Sequence, residues 1–140
     1  MAKHEFGIMM NTPRQSERYD EYEPWKYECI SVDDKDLEGV VERLSSIDFY
    51  WHTLSVKGKG LAYCGVTLVP PCSLKAFIDS IADIPELCEL KKLLKKALDK
   101  NKWVIHYGIW NYHTGNHATV PTQLAALPSL PDQEGKYYSA

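Results

Sequence analysis

Histidines and tyrosines within apolar segments are the residues of this sequence best suited to chemistry. His52 and His106 each lie in a run rich in β-branched and aromatic residues. Tyr50 precedes His52 by two positions, and Tyr63 lies in the next such run. An imidazole titrates near neutral pH and moves protons, while a neighbouring phenol can orient a substrate oxygen. This combination predicts a small acid–base pocket with His52, His106 and Tyr63 as candidate catalytic residues.

The predicted ligand-binding residues lie on or beside the strands that carry the two histidines: Tyr50, His52, Tyr63, Thr67, His106 and Trp110. No carboxylate is placed to orient either imidazole, because Asp48 falls at the end of a predicted strand. Buried histidines are usually hydrogen-bonded parts of the packed interior. We therefore favour a structural role for both histidines over a catalytic one, and we expect no cofactor.

Metal binding is not expected. His113 and His117 are four residues apart, but Gly115 between them disfavours the helix that would bring both imidazoles to one side. The cysteines are widely spaced, contain no C-x-x-C pair and are expected to be buried or half-buried thiols: Cys29, Cys64, Cys72 and Cys88.

Two strands must position the chemical groups named above. Residues 49–56 and 61–69 are rich in types that suit a pleated sheet. The glycines of the intervening segment 57–60 can adopt the positive φ of a tight turn, which predicts an antiparallel hairpin centred on Gly58 and Lys59.

The register of this hairpin decides which side chains share a face. It places Trp51 opposite Val66 and His52 opposite Gly65, which leaves a shallow notch above the glycine. His52 and Cys64 then point to opposite sides of the sheet, so they do not form a catalytic pair. The face of His52 also carries other predicted ligand-binding residues: Tyr50, Tyr63 and Thr67.

The remaining elements complete an α+β fold of order ββαββααβ. Strands are predicted at 4–10, 26–32 and 103–110, a helix begins at Asp33 or Asp34, and two more helices follow Ser73 and Asp83. Each helix has one apolar stripe, which predicts an antiparallel or mixed sheet with the helices packed on one face.

The last strand is expected to turn its more apolar side to the helices: Trp103, Ile105, Tyr107 and Ile109. His106 would then share the opposite face with His52. That face is too apolar to lie open to water. We expect it to be covered by the long loop after the first strand, by the C-terminal tail, by a second subunit or by a ligand.

Length and composition limit the classes of function. The chain has 140 residues, a formal charge of −3 and 25% charged residues, which indicates one soluble domain at 1–110 and a loosely structured tail at 111–140. The acidic balance disfavours nucleic acid, and lysines on the third helix are explained by a solvated face. No signal peptide or apolar membrane span is recognisable, so a cytoplasmic location is expected.

Four stretches of the sequence resemble a family of short bacterial proteins of unassigned function. They are His4 to Met9, Tyr50 to Thr53, Gly58 to Pro71 and Val104 to His106. The resemblance covers roughly residues 1–110, and the tail departs from it. It implies a small bacterial cytoplasmic domain and supplies no catalytic residues.

Two functions remain as hypotheses. A protein-interaction or ligand-binding module is favoured, because the sequence has no Walker loop and no G-x-G-x-x-G, H-E-x-x-H or G-x-S-x-G motif. Such a module would bind a partner protein, as immunity proteins do, or form a homodimer through the open sheet face. The alternative is a small enzyme that uses the histidine and tyrosine pocket.

Overall fold

The computed structural model describes residues 2–109, which form six strands and three α-helices. In chain order these are β1 (Lys3–Ile8), β2 (Ile30–Asp33), α1 (Asp34–Leu44), β3 (Asp48–Trp51), β4 (Lys57–Lys59), β5 (Val66–Val69), α2 (Pro71–Ile81), α3 (Cys88–Lys100) and β6 (Val104–Tyr107). Short 3₁₀ turns lie at Pro24–Tyr27 and Pro85–Leu87. The predicted tail at 111–140, with His113 and His117, and the predicted site residue Trp110 lie outside the described residues.

All six strands belong to one antiparallel sheet in the order β2-β1-β6-β5-β3-β4. The α+β prediction is confirmed, and the antiparallel alternative is the right one. The last strand, β6, lies in the middle of the sheet between β1 and β5. The two ends of the described chain are thereby joined by hydrogen bonds.

The three helices cover one side of the sheet, as their apolar stripes predicted. Buried side chains of α1, α2 and α3 form one cluster with the sheet, exemplified by Leu37, Phe77 and Leu94. Phe6 and Phe49 contribute the sheet side of this cluster, and both rings contact Phe77. Burial of these apolar side chains makes the largest favourable contribution to the free energy that holds the helices against the sheet.

The other side of the sheet is covered by the segment between β1 and β2, residues 9–29, which we call the N-terminal loop. Val66, Leu68, Ile105 and Tyr107 are buried there, and Tyr19, Tyr22 and Tyr27 of the loop pack against them as part of a second apolar cluster. Among the residues that the structure describes, this face is therefore covered by the long loop after the first strand, which was one of the four covers expected.

The predicted hairpin is wrong in both turn and register. β3 ends at Trp51, and β4 pairs back onto it with Phe49 opposite Gly58. Gly58 lies in a strand and not in a turn, because the Trp51 indole covers it and would be only 2.3 Å from a Cβ at that position. The turn that needs positive φ follows at Gly60, where φ is 75°.

β5 pairs with the other edge of β3, one residue out of the predicted register. Trp51 lies opposite Thr67 instead of Val66, and Tyr50 lies opposite Leu68. Because faces alternate along a strand, this shift moves Thr67 to the helix side while Tyr50 stays on the side of the N-terminal loop.

The predicted orientation of the last strand is also wrong. Ile105 and Tyr107 face the N-terminal loop, whereas Val104 and His106 face the helices. The prediction assumed that only the helix side forms a core. Both sides of β6 are buried, so apolarity does not distinguish them.

The second helix begins earlier than predicted. Ser73 was expected to cap it, but α2 starts at Pro71, and the Ser73 hydroxyl donates a 2.7 Å hydrogen bond to the backbone oxygen of Asp48. Pro71 is favourable at a first helical position because its missing N–H has no helical partner there. Ser73 thus ties α2 to the start of β3.

Within residues 2–109, no helix combines the length and the apolar character needed to cross a membrane.

Candidate functional site

A chain of hydrogen-bonded side chains lies between the sheet and α1. Nε2 of His106 lies 2.9 Å from Nδ1 of His4, whose Nε2 lies 2.9 Å from Oδ1 of Asp34. At the other end, Nδ1 of His106 lies 3.1 Å from Oγ1 of Thr67. The hydroxyl of Tyr63 also donates to Oδ1 of Asp34. We call these five residues the imidazole network.

Strand pairing brings the network together. His106 lies opposite both Phe6 of β1 and Thr67 of β5. His4 precedes Phe6 by two residues and therefore points to the same side of the sheet. Asp34 follows the last residue of β2, and its backbone N–H donates to the oxygen of Ala2, which places the carboxylate beside His4.

Burial distinguishes the two ends of the network. His4, Thr67 and His106 are wholly buried, whereas the side chain of Asp34 is 19% exposed. Asp34 and Tyr63 therefore form the end that solvent or a ligand can reach.

The donor and acceptor pattern assigns the protons. The Asp34 carboxylate only accepts, so Nε2 of His4 carries a hydrogen and its Nδ1 accepts from Nε2–H of His106. Nδ1 of His106 then accepts from the Thr67 hydroxyl, whose oxygen accepts a 2.8 Å bond from the backbone N–H of Ala62. Every donor points toward Asp34, and both imidazoles are neutral.

Burial supports this neutral arrangement. It lowers the pKa of His4 despite the opposing hydrogen bond and charge of Asp34. It lowers the pKa of His106 further, well below the ordinary value, and the charge that His4 can carry acts in the same direction. Burial, followed by the hydrogen bond to Asp34, raises the pKa of Tyr63. The phenol and both imidazoles are uncharged at neutral pH.

His52 has a different set of partners. Its Nδ1 lies 2.8 Å from Oδ1 of Asp20, and Arg18 donates through Nε to Oδ2 of the same carboxylate at 2.8 Å. The hydrogen bond with His52 is the largest cause that lowers the pKa of Asp20 to about 2, and Arg18 adds to it. The backbone N–H of Tyr19 also donates to the oxygen of His52 at 2.7 Å. His52 thus attaches the N-terminal loop to the end of β3 through both its side chain and its backbone.

The backbone of His52 is strained, with a φ of 65° in the left-handed region. Such a conformation costs a non-glycine residue roughly 1 kcal/mol or more and persists only when surrounding contacts impose it. Gly65 is one of those surroundings, because a Cβ there would lie 2.5 Å from Nε2 of His52. The notch predicted above this glycine exists, but the imidazole of His52 fills it.

The predicted site residues therefore separate into two places. Tyr63, Thr67 and His106 join the imidazole network, while His52 contacts the N-terminal loop. Tyr50 packs against Trp103 on the loop side, with ring centroids 5.8 Å apart. A single pocket that holds both histidines is not formed.

Three partners were missed by sequence reasoning. The carboxylate that the sequence analysis did not find is supplied twice, by Asp20 for His52 and by Asp34 for His4. Alternation along β1 was the one available signal, since it puts His4 on the side of Phe6. Asp34 was assigned only to the start of a helix, and Asp20 lies in a loop without periodicity.

A cleft of about 670 Å³ is formed by residues of the N-terminal loop, with Tyr107 of β6 as its contact with the sheet. Its lining contains three cationic and three acidic side chains with three tyrosines: Arg14, Arg18, Lys26, Glu17, Glu21, Glu23, Tyr19, Tyr27 and Tyr107. Met10 also lines it and is 71% exposed, and Trp25 on the adjacent 3₁₀ turn is 69% exposed.

Hydrogen bonds hold the charged wall of the cleft. Glu17 accepts from the Tyr19 hydroxyl at 2.6 Å and from the backbone N–H of Arg14, and these two bonds are the main causes that lower its pKa. Lys26 forms an ion pair with Glu23 at 2.8 Å. The cleft is therefore lined by ionised groups of both signs.

All four cysteines carry free thiols. Within residues 2–109, no group of three or more His, Cys, Asp or Glu side chains is arranged to hold a metal ion. Cys64, Cys72 and Cys88 are exposed thiols, which corrects the prediction of burial for these three. Cys29 is half-buried, and burial followed by the charge of Glu5 raises the pKa of its thiol to about 12.

Comparison with known proteins gives no match to a family model, a curated protein or a solved structure. The resemblance to a family of short bacterial proteins therefore stays a prediction.

Proposed function

We propose that this protein is an interaction module that binds a segment of another protein at the cleft formed by its N-terminal loop. The observation that carries the proposal is the exposure of Trp25 and Met10 beside this cleft, at 69% and 71%. Tryptophan is enriched among the residues that dominate binding energy at protein interfaces. Such a partner fits a protein of the bacterial cytoplasm, as the resemblance implies.

The chemistry of the cleft favours a protein segment over a metabolite. Pockets for small molecules of this size are mostly apolar with few polar groups. This cleft has six ionised side chains and tyrosines on its walls. An extended segment with charged side chains and one apolar anchor would complement both features. The formal charge of −3 does not favour nucleic acid.

The sheet face itself is not the surface proposed. Its apolar side chains, such as Leu68 and Ile105, already pack under Tyr19 and Tyr27. A second copy of the chain that paired through this face would have to displace the loop. The outer surface of the loop and the cleft are therefore the parts available to a partner.

Selection of displayed random peptides on the full chain tests the proposal. Enriched peptides should bind Trp25→Ala and Lys26→Glu at least about tenfold more weakly than the wild type, equivalent to about 1.4 kcal/mol, as measured by fluorescence polarisation. Lys95→Glu is the matched control, because Lys95 is an exposed lysine of α3 on the helix side of the sheet. Peptides that bind Trp25→Ala and Lys26→Glu as tightly as the wild type would contradict the proposal. A selection that enriches no peptide would also count against binding at the cleft.

A second candidate is a small enzyme that performs acid–base chemistry at Asp34 and Tyr63. It is favoured by the part-exposed carboxylate of Asp34, which is hydrogen-bonded to a buried neutral imidazole and to a phenol. Such a carboxylate can accept a substrate proton while His4 fixes its orientation. The five residues of the imidazole network would be its catalytic and positioning groups.

Thermal-shift screening against metabolites distinguishes the two candidates. A ligand at about one hundred times its dissociation constant stabilises the folded state by about 2.7 kcal/mol. A shift that is lost in Asp34→Asn and Tyr63→Phe but kept in Trp25→Ala would favour the enzyme. A screen without hits would leave only the interaction module.

A further inference from the structure

We propose that the imidazole network is a proton-operated switch in which uptake of one proton by His4 reverses the hydrogen bonds from His4 to His106 and from His106 to Thr67 and weakens the hold on residues 60–65. The inference is independent of the binding cleft, which lies on the other side of the sheet. It follows from the geometry of the chain of donors.

Every ring nitrogen of the neutral network already takes part in a hydrogen bond, so an added proton must displace a hydrogen. His4 and His106 each use one nitrogen as donor and the other as acceptor, and the two nitrogens that face each other are 2.9 Å apart. A proton added to His106 at Nδ1 would meet the Thr67 hydroxyl, which already donates to that atom. A proton added to His4 at Nδ1 would meet the hydrogen on Nε2 of His106.

Reversal resolves this conflict. When His4 carries hydrogens on both nitrogens, it donates to Asp34 and, through Nδ1, to Nε2 of His106. His106 must then move its own hydrogen to Nδ1 and donate to Thr67. Thr67 now accepts from both His106 and the N–H of Ala62, and its own hydrogen has lost its acceptor.

The surrounding charges place the added proton on His4. The groups that face His4 are Asp34 of α1, Tyr63 and His106, and only Asp34 is anionic. His106 faces His4, Thr67 and the Phe6 ring, none of them acidic. Farther out, the charges of Asp34 and Glu38 act on Tyr63, and that of Asp34 on Cys64. The protonated state is thus an ion pair between His4 and Asp34.

Residues 60–65 connect the switch to the end of β6. Thr67 holds this segment through Ala62. The backbone oxygens of Tyr63 and Gly65 accept from Ile109 and Gly108 at 2.8 Å each. Gly65 also supports the strained His52. A hydroxyl that no longer donates a hydrogen bond is a poorer acceptor, so the bond between Thr67 and Ala62 weakens on protonation. We expect this change to loosen both the end of β6 and the attachment of the N-terminal loop at His52.

Nitrogen NMR of the full chain with labelled histidine tests the switch. At neutral pH both His4 and His106 should be the Nε2–H tautomer. On acidification His4 should gain its second hydrogen while His106 changes to Nδ1–H, with one shared midpoint that the amide signals of Ala62, Gly108 and Ile109 also follow. Separate midpoints for the two histidines, an Nδ1–H tautomer at neutral pH, or unchanged amide signals would overturn the proposal.

Asp34→Asn removes the charge and keeps an oxygen that can accept from His4. It should lower the shared midpoint by about one pH unit or more, since a nearby opposite charge favours the protonated form by this amount. Asp36→Asn is the matched control on the same helix and should leave the midpoint unchanged. If Asp34→Asn does not fold, Tyr63→Phe serves instead. It frees the carboxylate from one donor and should raise the midpoint, and a midpoint that stays at the wild-type value would contradict the role of Asp34.

Discussion

Nδ1 of His52 lies 2.8 Å from Oδ1 of Asp20, a residue 32 positions earlier in the chain. This contact joins the turn after β3 to the N-terminal loop, and the loop in turn covers one side of the sheet. The strained φ of His52 indicates that the arrangement is imposed by its surroundings and is not a local preference.

Replacing His52 with Ala should weaken the attachment of the loop. The substitution removes the hydrogen bond to Asp20, and both side chains are partly exposed, at 28% and 48%, so the expected loss is about 1 kcal/mol in the free energy of unfolding. Urea denaturation measures it. His52→Gly is the informative comparison, because it removes the same bond but relieves the backbone strain, and it should be the more stable of the two variants.

Gly65→Ala should be destabilising only while the imidazole of His52 is present. The new Cβ would lie 2.5 Å from Nε2, and overpacking of this kind costs about 1–3 kcal/mol. The cost should fall below about 0.5 kcal/mol in the background of His52→Ala. A double-mutant cycle with urea unfolding gives the coupling energy. Equal costs in both backgrounds would show that Gly65 is required for another reason.

Stability should fall as the pH drops below about 6.5, where histidines of an unfolded chain take up protons. Burial lowers the folded-state pKa of His4 and His106, so in this range the unfolded state binds more protons than the folded state. The contribution is fully present above pH 6.5 and is lost progressively toward the folded-state values.

Urea midpoints at pH 7.5, 6.0 and 5.0 measure this dependence. Asp20 has its folded-state pKa lowered to about 2, and it loses its own contribution only below about pH 4. The loss of stability caused by the two histidines and the loss caused by Asp20 therefore occur in separate pH ranges. A constant midpoint between pH 7.5 and 5.0 would contradict the neutral imidazole network.

Thr67→Val should cost about 2 kcal/mol even though the side chain keeps its volume. The change leaves Nδ1 of the wholly buried His106 and the N–H of the partly buried Ala62 without their partner. Thr67→Ser is the control, because it keeps the hydroxyl and loses only a methyl group. Calorimetric melting should therefore rank the wild type first, the serine variant second and the valine variant last.

The sequence predicted what depends on local periodicity. The stripes of α1, α2 and α3 identified most of their buried positions, although Leu98 of α3 is 37% exposed. The composition of the strands identified the sheet except for β4, which was predicted as a turn. The register of β3 and β5 was missed by one residue, because Gly58 is there to make room for the indole of Trp51 and not to form a turn. Sequence composition does not distinguish these two uses of a glycine.

The candidate site depended on contacts that no local pattern reports. His106 and Thr67 were selected correctly as neighbours in one sheet. His4, however, contacts His106 at a separation of 102 positions and Asp34 at a separation of 30. The face of His106 was predicted wrongly because the N-terminal loop makes a second core on the other side. The apolar residues of a loop do not recur at a regular spacing, so the sequence gives no sign that they form part of a core.

The exposed edge of the sheet at β4 consists of only three residues, two of which are the exposed lysines Lys57 and Lys59. A further strand that joined this edge would bring two ammonium groups against its own backbone and desolvate them. Lys59 also forms an ion pair with Asp48 of the neighbouring strand. The aromatic strand β3 is thus shielded by a short charged one, which protects the fold against strand-by-strand aggregation.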